Sequence, residues 1–460
     1  MSSPCLCPSN QQVWSAGALS LYQRLLPASF WDHLCRQIDL HQNNRVYTLA
    51  VVVWLMISQW LQGHTPLDQA VAELLRGLPA SFWPNPCKRL QDCQSNHTHL
   101  SGNTAAYNTA RQQLPSVVVE ACCDHLFEQL TSEAGGYLPP LDRRAFIFDG
   151  TSVELPPTDA LRHLYPPGSN QHKPSHWPLI RMLVAHDLQT GLALRPQWGP
   201  MNGKQAVSEQ QLLETAIDRL PEASLVIGDA NFGVFSVAYA SQQRHHPVLL
   251  RLTAQRALHL AGEPLQDGIN RPITWKPSRW DRRHHPNLPK DACVHGRLLV
   301  CLVQPSNDAK PFLLALFTSW DATLTQILEV YGQRWGVETD LRTLKSTLNL
   351  EQLRCTTPEM VAKELDLAMA AYNLVRVVIC LAAQQAGLPP RSYSFSRVRH
   401  LLQVFAPLLA AAQNSQESQN ILARILHYVG QAKLSKRTRE RPAYPRAVWP
   451  KRQSFPRRKE

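Results

Sequence analysis

Long apolar runs are scarce in this chain of 460 residues, and so are the signs of an exported protein. The longest apolar run, near Leu49–Ile57, is shorter than the roughly 20 residues that a membrane-spanning helix needs. The 11 cysteines are an odd number, which favours free thiols in a reducing compartment. The first residues lack the basic and then apolar pattern of a secretory signal. We therefore expect no membrane partner and a cytoplasmic location.

Acidic residues are outnumbered as well. The chain has 47 Lys and Arg against 35 Asp and Glu, a net charge of +12 at pH 7. This balance favours a polyanionic partner, most often nucleic acid, although an unrelated basic protein would share it. The excess is greatest in 431–460, where 11 basic residues accompany 2 Glu. We predict a disordered tail there that binds phosphates, with a solubility tail as the alternative.

The pattern along the chain predicts an α/β protein with a helical start. Helical periodicity over 1–100 predicts an N-terminal domain, a candidate for DNA binding, that ends in a polar linker. Beyond it, apolar runs that end in turns alternate with helical stretches, which favours a mixed sheet covered by helices. We assign 101–252 and 321–405 to this catalytic domain and 253–320 to a β-rich insertion. A C-terminal helix and the basic tail make up 406–460.

The stretch from Tyr331 to Lys345 combines a charged strip with an apolar one. Between Asp321 and Glu351 there is no Pro, so we predict one continuous helix. Asp340 falls about 180° from Tyr331 on a helical wheel, and we expect that replacing it by Asn has little effect. A charged strip is most often only a solvated face, and an Arg–Glu pair four residues apart stabilises a helix by itself. The residues within about 80° of one another on the charged strip are Tyr331, Arg334, Glu338, Arg342 and Lys345.

Two further carboxylates turn this strip into a candidate site. Asp149 follows the apolar run AFIF, and Asp229 follows SLVIG. Functional groups of open α/β sheets gather outside the carboxyl ends of the strands, so both are expected at the rim. Together with Glu338, they can hold one or two Mg²⁺ ions through oxygen ligands, with Mn²⁺ as an alternative ion. Paired ions of this kind activate an attacking oxygen and stabilise a leaving oxygen at phosphorus.

These motifs make the chain resemble the DDE transposases of bacterial insertion sequences, and more narrowly the insertion-sequence-4 family. That family has a Tyr-x2-Arg-x3-Glu-x6-Lys pattern, and the four residues from Tyr331 to Lys345 match it without a gap. Asp149 in FDGT is similar to the family's first Asp, and Asp229 in GDANFG to its second. The likeness covers about 101–402 and includes, in addition, YPPG at 165–168, the Ser208-Glu209 pair, NLVR at 373–376 and SFS at 394–396.

The resemblance implies an RNase H-like catalytic domain with a β-strand insertion between the second Asp and the Glu. It implies metal-dependent cleavage of double-stranded DNA at element ends and strand transfer into target DNA, by a homodimer in the synaptic complex. Tyr331, Arg334 and Lys345 would handle end phosphates near the cut. Many members carry Arg or Lys soon after the second Asp, where this chain has Ala230-Asn231. Two alternatives are a nuclease of the same fold and a non-catalytic DNA-binding inhibitor of transposition.

Aromatic and basic residues alternate in the insertion. Trp275 and Trp280 stand among Lys and Arg residues, and such groups can stack on an unpaired base while gripping the backbone. Related transposases use an insertion-domain Trp in this way. Core packing is an equally weighted alternative for each Trp. Arg251, in the strand VLLRL, either faces the site or pairs with a structural carboxylate, and Arg342 belongs to the cationic strip.

Overall fold

The N-terminal region folds into helices, as its periodicity predicts. The computed structural model describes residues 18–41, 45–76, 87–96, 98–134, 143–169, 174–304, 310–411 and 415–434. The basic tail beyond residue 434 lies outside this part of the chain. Pro115 separates two helices, as expected, and a short helix lies inside the segment 84–102 that we predicted to be a linker. The helices before the sheet are α1 (Ala18–Leu25), α2 (Ala28–Gln37), α3 (Leu49–Leu61), α4 (Leu67–Arg76), α5 (Lys88–Ser95), α6 (Ala105–Gln113) and α7 (Ser116–Ala134).

A mixed sheet of nine strands forms the centre of the fold, so the predicted α/β class is correct. Its strand order is β2-β3-β1-β5-β6-β9-β8-β7, with β4 paired to β3. The β1–β5 and β5–β6 pairs are parallel, whereas the other pairs are antiparallel. The strands are β1 (Ala145–Glu154), β2 (Pro167–Ser169), β3 (Pro174–Asp187), β4 (Gln197–Pro200), β5 (Leu225–Gly228), β6 (Val248–Arg251), β7 (Ile269–Trp275), β8 (Val294–Val303) and β9 (Phe312–Thr318).

Helices connect the strands and follow them. The segment predicted to be a β-rich insertion extends the central sheet, because β9 pairs with β6 through Leu250 and Phe317. Pro358 to Ala386 form one helix of 29 residues. The remaining helices are α8 (Asp159–Leu164), α9 (Glu209–Ala216), α10 (Phe235–Gln243), α11 (Ala254–Ala261), α12 (Arg279–His284), α13 (Leu324–Gly332), α14 (Trp335–Arg342), α15 (Pro358–Ala386), α16 (Phe395–Ala411) and α17 (Ser415–Gln431).

The two faces of the sheet bury different sets of side chains. Successive residues of a strand point to opposite faces, so Phe146 and Ile147 enter different clusters. Phe146 joins the large core that includes α3, α7 and α15. Ile147 joins a smaller cluster, which α13 covers with Ile327, Val330 and Tyr331. The face under α13 is therefore the one on which the helical motif meets the strands.

Helix α15 is the central element of the helical layers. All 18 residues of its most apolar window are buried, and α3, α7, α16 and α17 pack against it. Its length and composition would suffice to cross a membrane, but its surface is covered by the rest of the protein. We therefore interpret α15 as a core helix.

The predicted continuous helix around Tyr331 is interrupted twice. Helix α13 ends at Gly332, and α14 begins at Trp335. A π-helical turn follows at Thr343–Thr347. Gly lowers helix propensity by about 1 kcal/mol relative to Ala, and π turns are irregularities that a wheel of fixed pitch does not capture. The wheel angles therefore do not hold beyond Gly332.

One buried cluster makes folding stability depend on pH. Arg195 lies among three carboxylates, with Nη1 3.4 Å from Asp366 Oδ2 and 3.3 Å from Glu120 Oε2, and Nε 2.6 Å from Asp124 Oδ1. Burial raises the pKa of Asp366 to about 7, against the attraction of Arg195. The folded state thus keeps a proton that an unfolded Asp releases near pH 3.9. We expect this group to make its full contribution below about pH 4 and to lose up to roughly 4 kcal/mol as pH rises through 7.

The matched variant for this expectation is Asp366→Asn, which removes the titrating group and nearly preserves its shape. Thermal unfolding midpoints of both proteins, measured from pH 5 to pH 8, should show a weaker pH dependence for the variant. Equal pH dependence in the two proteins would contradict the role of Asp366.

Candidate active site

Three sequence-predicted residues lie in one row across adjacent strands. The β1–β5 ladder pairs Ile147 with Ile227, and two residues further along, Asp149 is level with Asp229. The β5–β6 ladder, continued beyond its last pair, brings Asp229 level with Arg251. Adjacent strands are about 4.8 Å apart, so these side chains are close neighbours. We call Asp149, Asp229 and Arg251 the strand-end row.

The expected place of Asp149 at the end of a strand needs correction. Strand β1 continues to Glu154 and pairs Asp149 with Val184 of β3. Its parallel neighbour β5 ends at Gly228, so the rim of the sheet passes through the middle of β1. The strand-end row therefore lies where the parallel strands stop, on the face that α13 covers.

Asp149 is the most perturbed carboxylate of the row. Burial raises its pKa to about 6, and the charges of Asp229 and Glu209 act in the same direction. The backbone N–H of Gly150, which donates to Asp149 Oδ1 at 2.8 Å, and the charge of Arg334 oppose that rise. Neighbouring carboxylates that repel one another create a strong demand for a cation between them.

Tyr331 and Arg334 bring the helical motif to the row. Tyr331 is buried beside Arg334, whose guanidinium carbon lies 5.9 Å from the Tyr331 ring centroid. Burial raises the pKa of Tyr331, whereas Arg334 and Arg251 lower it and Asp229 raises it further. The charge of Arg334 thus acts on both Asp149 and Tyr331, and that of Arg251 on Tyr331. Arg251 has no ion pair with a carboxylate among the described residues, and its guanidinium carbon lies 5.8 Å from the Phe312 ring centroid.

Glu338 stands apart from the two aspartates. Its side chain is 45% exposed on α14, and its Oε1 lies 3.8 Å from Arg334 Nη2. Helix α14 packs against β1, so Glu338 approaches the strand that carries Asp149. Among the described residues, however, no three His, Cys, Asp or Glu side chains form a cluster that could hold a metal ion. The structure therefore brings Asp149 and Asp229 together and leaves Glu338 one helical turn beyond Arg334.

The environment of Asp340 argues against the expectation that its replacement by Asn has little effect. It is 2% exposed and forms ion pairs with Arg376 of α15 and with Arg391, whose Nη2 lies 2.8 Å from Asp340 Oδ2. These charges lower the pKa of Asp340 against its burial. Asp340 therefore fastens α14 to the core, while Glu338 faces outward.

The two tryptophans of the insertion have different environments. Trp275 is 5% exposed and packs against Phe317, with ring centroids 5.0 Å apart. Trp275 is therefore a core residue, and its burial argues against the predicted contact with an unpaired base. Trp280 is 60% exposed and stacks on His284 at 3.9 Å.

The other two cations predicted to bind DNA lie in the second half of the helical motif. Arg342 is exposed at the end of α14, and Lys345 is half-buried in the π turn that follows. Neither side chain has a described ion pair with a carboxylate.

Sequence reasoning did not identify Glu209 and Asn231 as site residues. The Asn231 side chain donates to Glu209 Oε2 at 2.6 Å, and its backbone N–H donates to Asp229 Oδ1 at 2.9 Å. Two signals in the sequence pointed to these positions. Glu209 belongs to the Ser208-Glu209 pair, and Asn231 stands where related sequences carry a cation.

Asp149 of β1 and Asp229, which follows β5, lie beneath a helical motif that supplies cations. This arrangement is typical of enzymes that transfer phosphoryl groups. Residues 140–374 match the family model of the transposase DDE domain. This match covers just over half of the chain, and the chain belongs to that family.

A similar protein supports the same family. The transposase InsG for insertion sequence element IS4 of Escherichia coli K12 is 25% identical over 408 residues, which cover 87% of this chain and 85% of that protein. The cryo-EM structure of the piggyBac transposase synaptic complex with hairpin DNA has a TM-score of 0.37 at 12% identity. That comparison covers 89% of this chain and 85% of the other. The chain is thus a transposase of the DDE type, and its function is DNA transposition.

Proposed function

We propose that this transposase cleaves double-stranded DNA at the ends of its element and transfers them to target DNA with Asp149, Asp229 and Glu338. The observation that carries the proposal is the level placement of Asp149 and Asp229 on adjacent parallel strands. Glu338 would complete the set from α14, where Arg334 lies between it and the row. Water or a sugar 3′-hydroxyl serves as nucleophile, so the site requires no nucleophilic side chain.

Mg²⁺, with Mn²⁺ as a substitute, is the cofactor that these residues fit. The family uses a divalent metal ion, and the donors are carboxylate oxygens, which Mg²⁺ prefers over nitrogen and sulfur. The mutual repulsion around Asp149 is relieved by a cation held between Asp149 and Asp229. When bound, the ion supplies positive charge to the attacking and leaving oxygens at phosphorus.

The chain's own cations position the DNA. Arg251 in the row and Arg334 beside it can hold the non-reacting phosphate oxygens next to the cut through charge-assisted hydrogen bonds. Tyr331, beside Arg334, contributes its hydroxyl at the same place. Lys345 and Arg342 extend this positive surface along the helical motif. Because these groups grip phosphates, they place the reacting bond without reading its sequence.

We further propose that 101–252 and 321–405 form an RNase H-like domain. The supporting observation is a sheet in which β1, β5 and β6 run parallel beside the antiparallel strands β3 and β4. Asp149 lies on β1 and Asp229 directly follows β5. The helices of 1–100 are proposed as a DNA-binding region, and a homodimer as the form that joins two ends. The protein would act at cytoplasmic DNA of the nucleoid.

The proposal is tested with purified protein, DNA fragments that carry the terminal inverted repeats of the element, and a supercoiled target. We expect Mg²⁺-dependent cleavage at the repeat boundary and joined products in the target. Cleavage of any DNA without joining would identify a nuclease of the same fold. DNA binding with neither product would identify a non-catalytic inhibitor.

Trp280 is the candidate for stacking on an unpaired base beside the cut. Stacking on an aromatic ring contributes about 1–3 kcal/mol per base, so Trp280→Ala should weaken binding of ends with unpaired bases by roughly 5- to 150-fold. Fluorescence anisotropy with frayed and fully paired ends would measure this difference. Trp280→Phe should restore most of the affinity, and fully paired ends should show little change.

The matched control for Trp280 is its buried neighbour Trp275. Truncation of a buried Trp leaves a cavity and costs about 3–5 kcal/mol, so Trp275→Ala should lower the unfolding midpoint. Equal losses of DNA affinity in folded preparations of both variants would contradict the assignment of Trp280.

A further inference from the structure

At the start of α9, two residues cap the helix and the two between them contact other elements. Ser208 Oγ accepts from the Gln211 backbone N–H at 3.2 Å, and Gln211 Oε1 accepts from the Ser208 backbone N–H at 2.8 Å. This reciprocal pair closes the start of the helix. The side chains between them, Glu209 and Gln210, are therefore available for contacts with other elements.

Both of these side chains hold Asn231, in the loop after β5. Glu209 Oε2 accepts from Asn231 Nδ2 at 2.6 Å. Gln210 Nε2 donates to the carbonyl oxygen of Asn231 at 2.8 Å and to its Oδ1 at 2.7 Å. The Asn231 backbone N–H in turn donates to Asp229 Oδ1 at 2.9 Å. The carboxylate of Asp229 is thus connected to α9 through one residue.

Glu209 also contacts the strand that carries the other aspartate. A Cβ atom at Gly150 would overlap the carboxyl group of Glu209, so the two residues are in direct contact only because Gly150 has no side chain. The Gly150 backbone N–H donates to Asp149 Oδ1 at 2.8 Å. Glu209 therefore touches the neighbour of each aspartate of the strand-end row.

We propose that Glu209 is a positioning residue that sets the spacing and orientation of Asp149 and Asp229 for a divalent cation. It acts through Asn231 on one side and through the Gly150 backbone on the other. These contacts would hold the carboxylates of Asp149 and Asp229 in place to bind one ion, because outer-shell hydrogen bonds orient metal-ligating carboxylates. The inference rests on the proposed metal-dependent function and gives the Ser208-Glu209 motif a role within it.

The test measures Mn²⁺ binding to the full-length protein without DNA by electron paramagnetic resonance. Loss of an outer-shell partner typically costs 10- to 100-fold in metal affinity. We expect Glu209→Ala and Asn231→Ala each to weaken Mn²⁺ binding by about tenfold or more, and the double variant to be no worse than either single one. Glu209→Gln keeps an acceptor for Asn231 and should recover most of the affinity.

Control variants separate the outcomes. Glu222→Ala, an exposed position after α9, should bind Mn²⁺ like the unmodified protein. If Asp149→Asn weakens binding and Glu209→Ala does not, the positioning role is overturned while the metal site stands. If Asp149→Asn has no effect, the proposed metal site fails and takes the positioning role with it. If Glu209→Gln binds Mn²⁺ as weakly as Glu209→Ala, the charge of Glu209 and not its hydrogen bond with Asn231 is responsible. That result also overturns the inference. Should Glu209→Ala fail to fold, Asn231→Ala carries the comparison.

Discussion

Replacement of Asp149 by Asn should reduce Mg²⁺-dependent cleavage of element ends by about 1,000-fold or more, while DNA affinity changes little. The substitution removes one of two neighbouring carboxylate charges and preserves the shape of the side chain. Charge neutralisation by a metal ion contributes several kcal/mol to phosphoryl transfer, and about 4 kcal/mol corresponds to a factor of about 1,000 in rate. Glu338→Gln should have the same effect if Glu338 completes the set.

The measurement is single-turnover cleavage of labelled end fragments, combined with a gel-shift assay of the same preparations. Asp291→Asn provides the control, because Asp291 is an exposed acidic residue in the turn before β8. Full activity of the Asp149 variant in Mg²⁺ would rule out a catalytic role for the strand-end row. A parallel loss of DNA affinity would show that Asp149 supports binding and not chemistry.

Asp340→Asn should destabilise the folded protein by roughly 3–5 kcal/mol, the usual cost of removing one partner from a buried ion pair. The variant leaves the buried guanidinium of Arg376 without its carboxylate and weakens the contact to Arg391. Because these contacts attach α14 to α15, we also expect cleavage activity to fall with the loss of folded protein. Thermal unfolding followed by tryptophan fluorescence would report the change.

The adjacent Glu338→Gln variant is the matched control for this second result. Both substitutions neutralise one carboxylate on α14, two residues apart, but Glu338 is half-exposed and Asp340 is buried. We expect Glu338→Gln to keep the unfolding midpoint and lose activity. A pair of variants with equal midpoints would show that the Asp340 ion pairs contribute little to stability.

The strand-end row could be predicted because its determinants are local. Each of the two aspartates directly follows an apolar run, and this pattern suffices to place Asp149 and Asp229 at the rim of a sheet. The pairing of β1 with β5 then decides that the two are neighbours, and this long-range contact is not encoded in the spacing of either motif. The transposase family and the mixed α/β class were confirmed, whereas the roles of the individual site residues stay predictions.

The surroundings of Asp340 and Trp275 could not be predicted, because both depend on partners distant in sequence. Asp340 is buried by Arg376 and Arg391, which a helical wheel of one segment cannot include. The wheel also assumed a regular helix, and the breaks after Gly332 and in the π turn removed that basis. Trp275 alternates with polar residues along β7, and only the position of β8 and β9 decides that its side faces the core.

The position of α15 has a consequence for the synthesis of the protein. Helices α3 and α7 bury their apolar sides against α15, which is translated more than 220 residues after α7 ends at Ala134. At roughly 5–20 residues per second, the apolar side of α7 waits about 10–45 s for its partner, and that of α3 waits longer. Asp340 and Arg376 both emerge at the end of this interval. The ion pair that fastens α14 to α15 therefore forms only after most of the protein has been made.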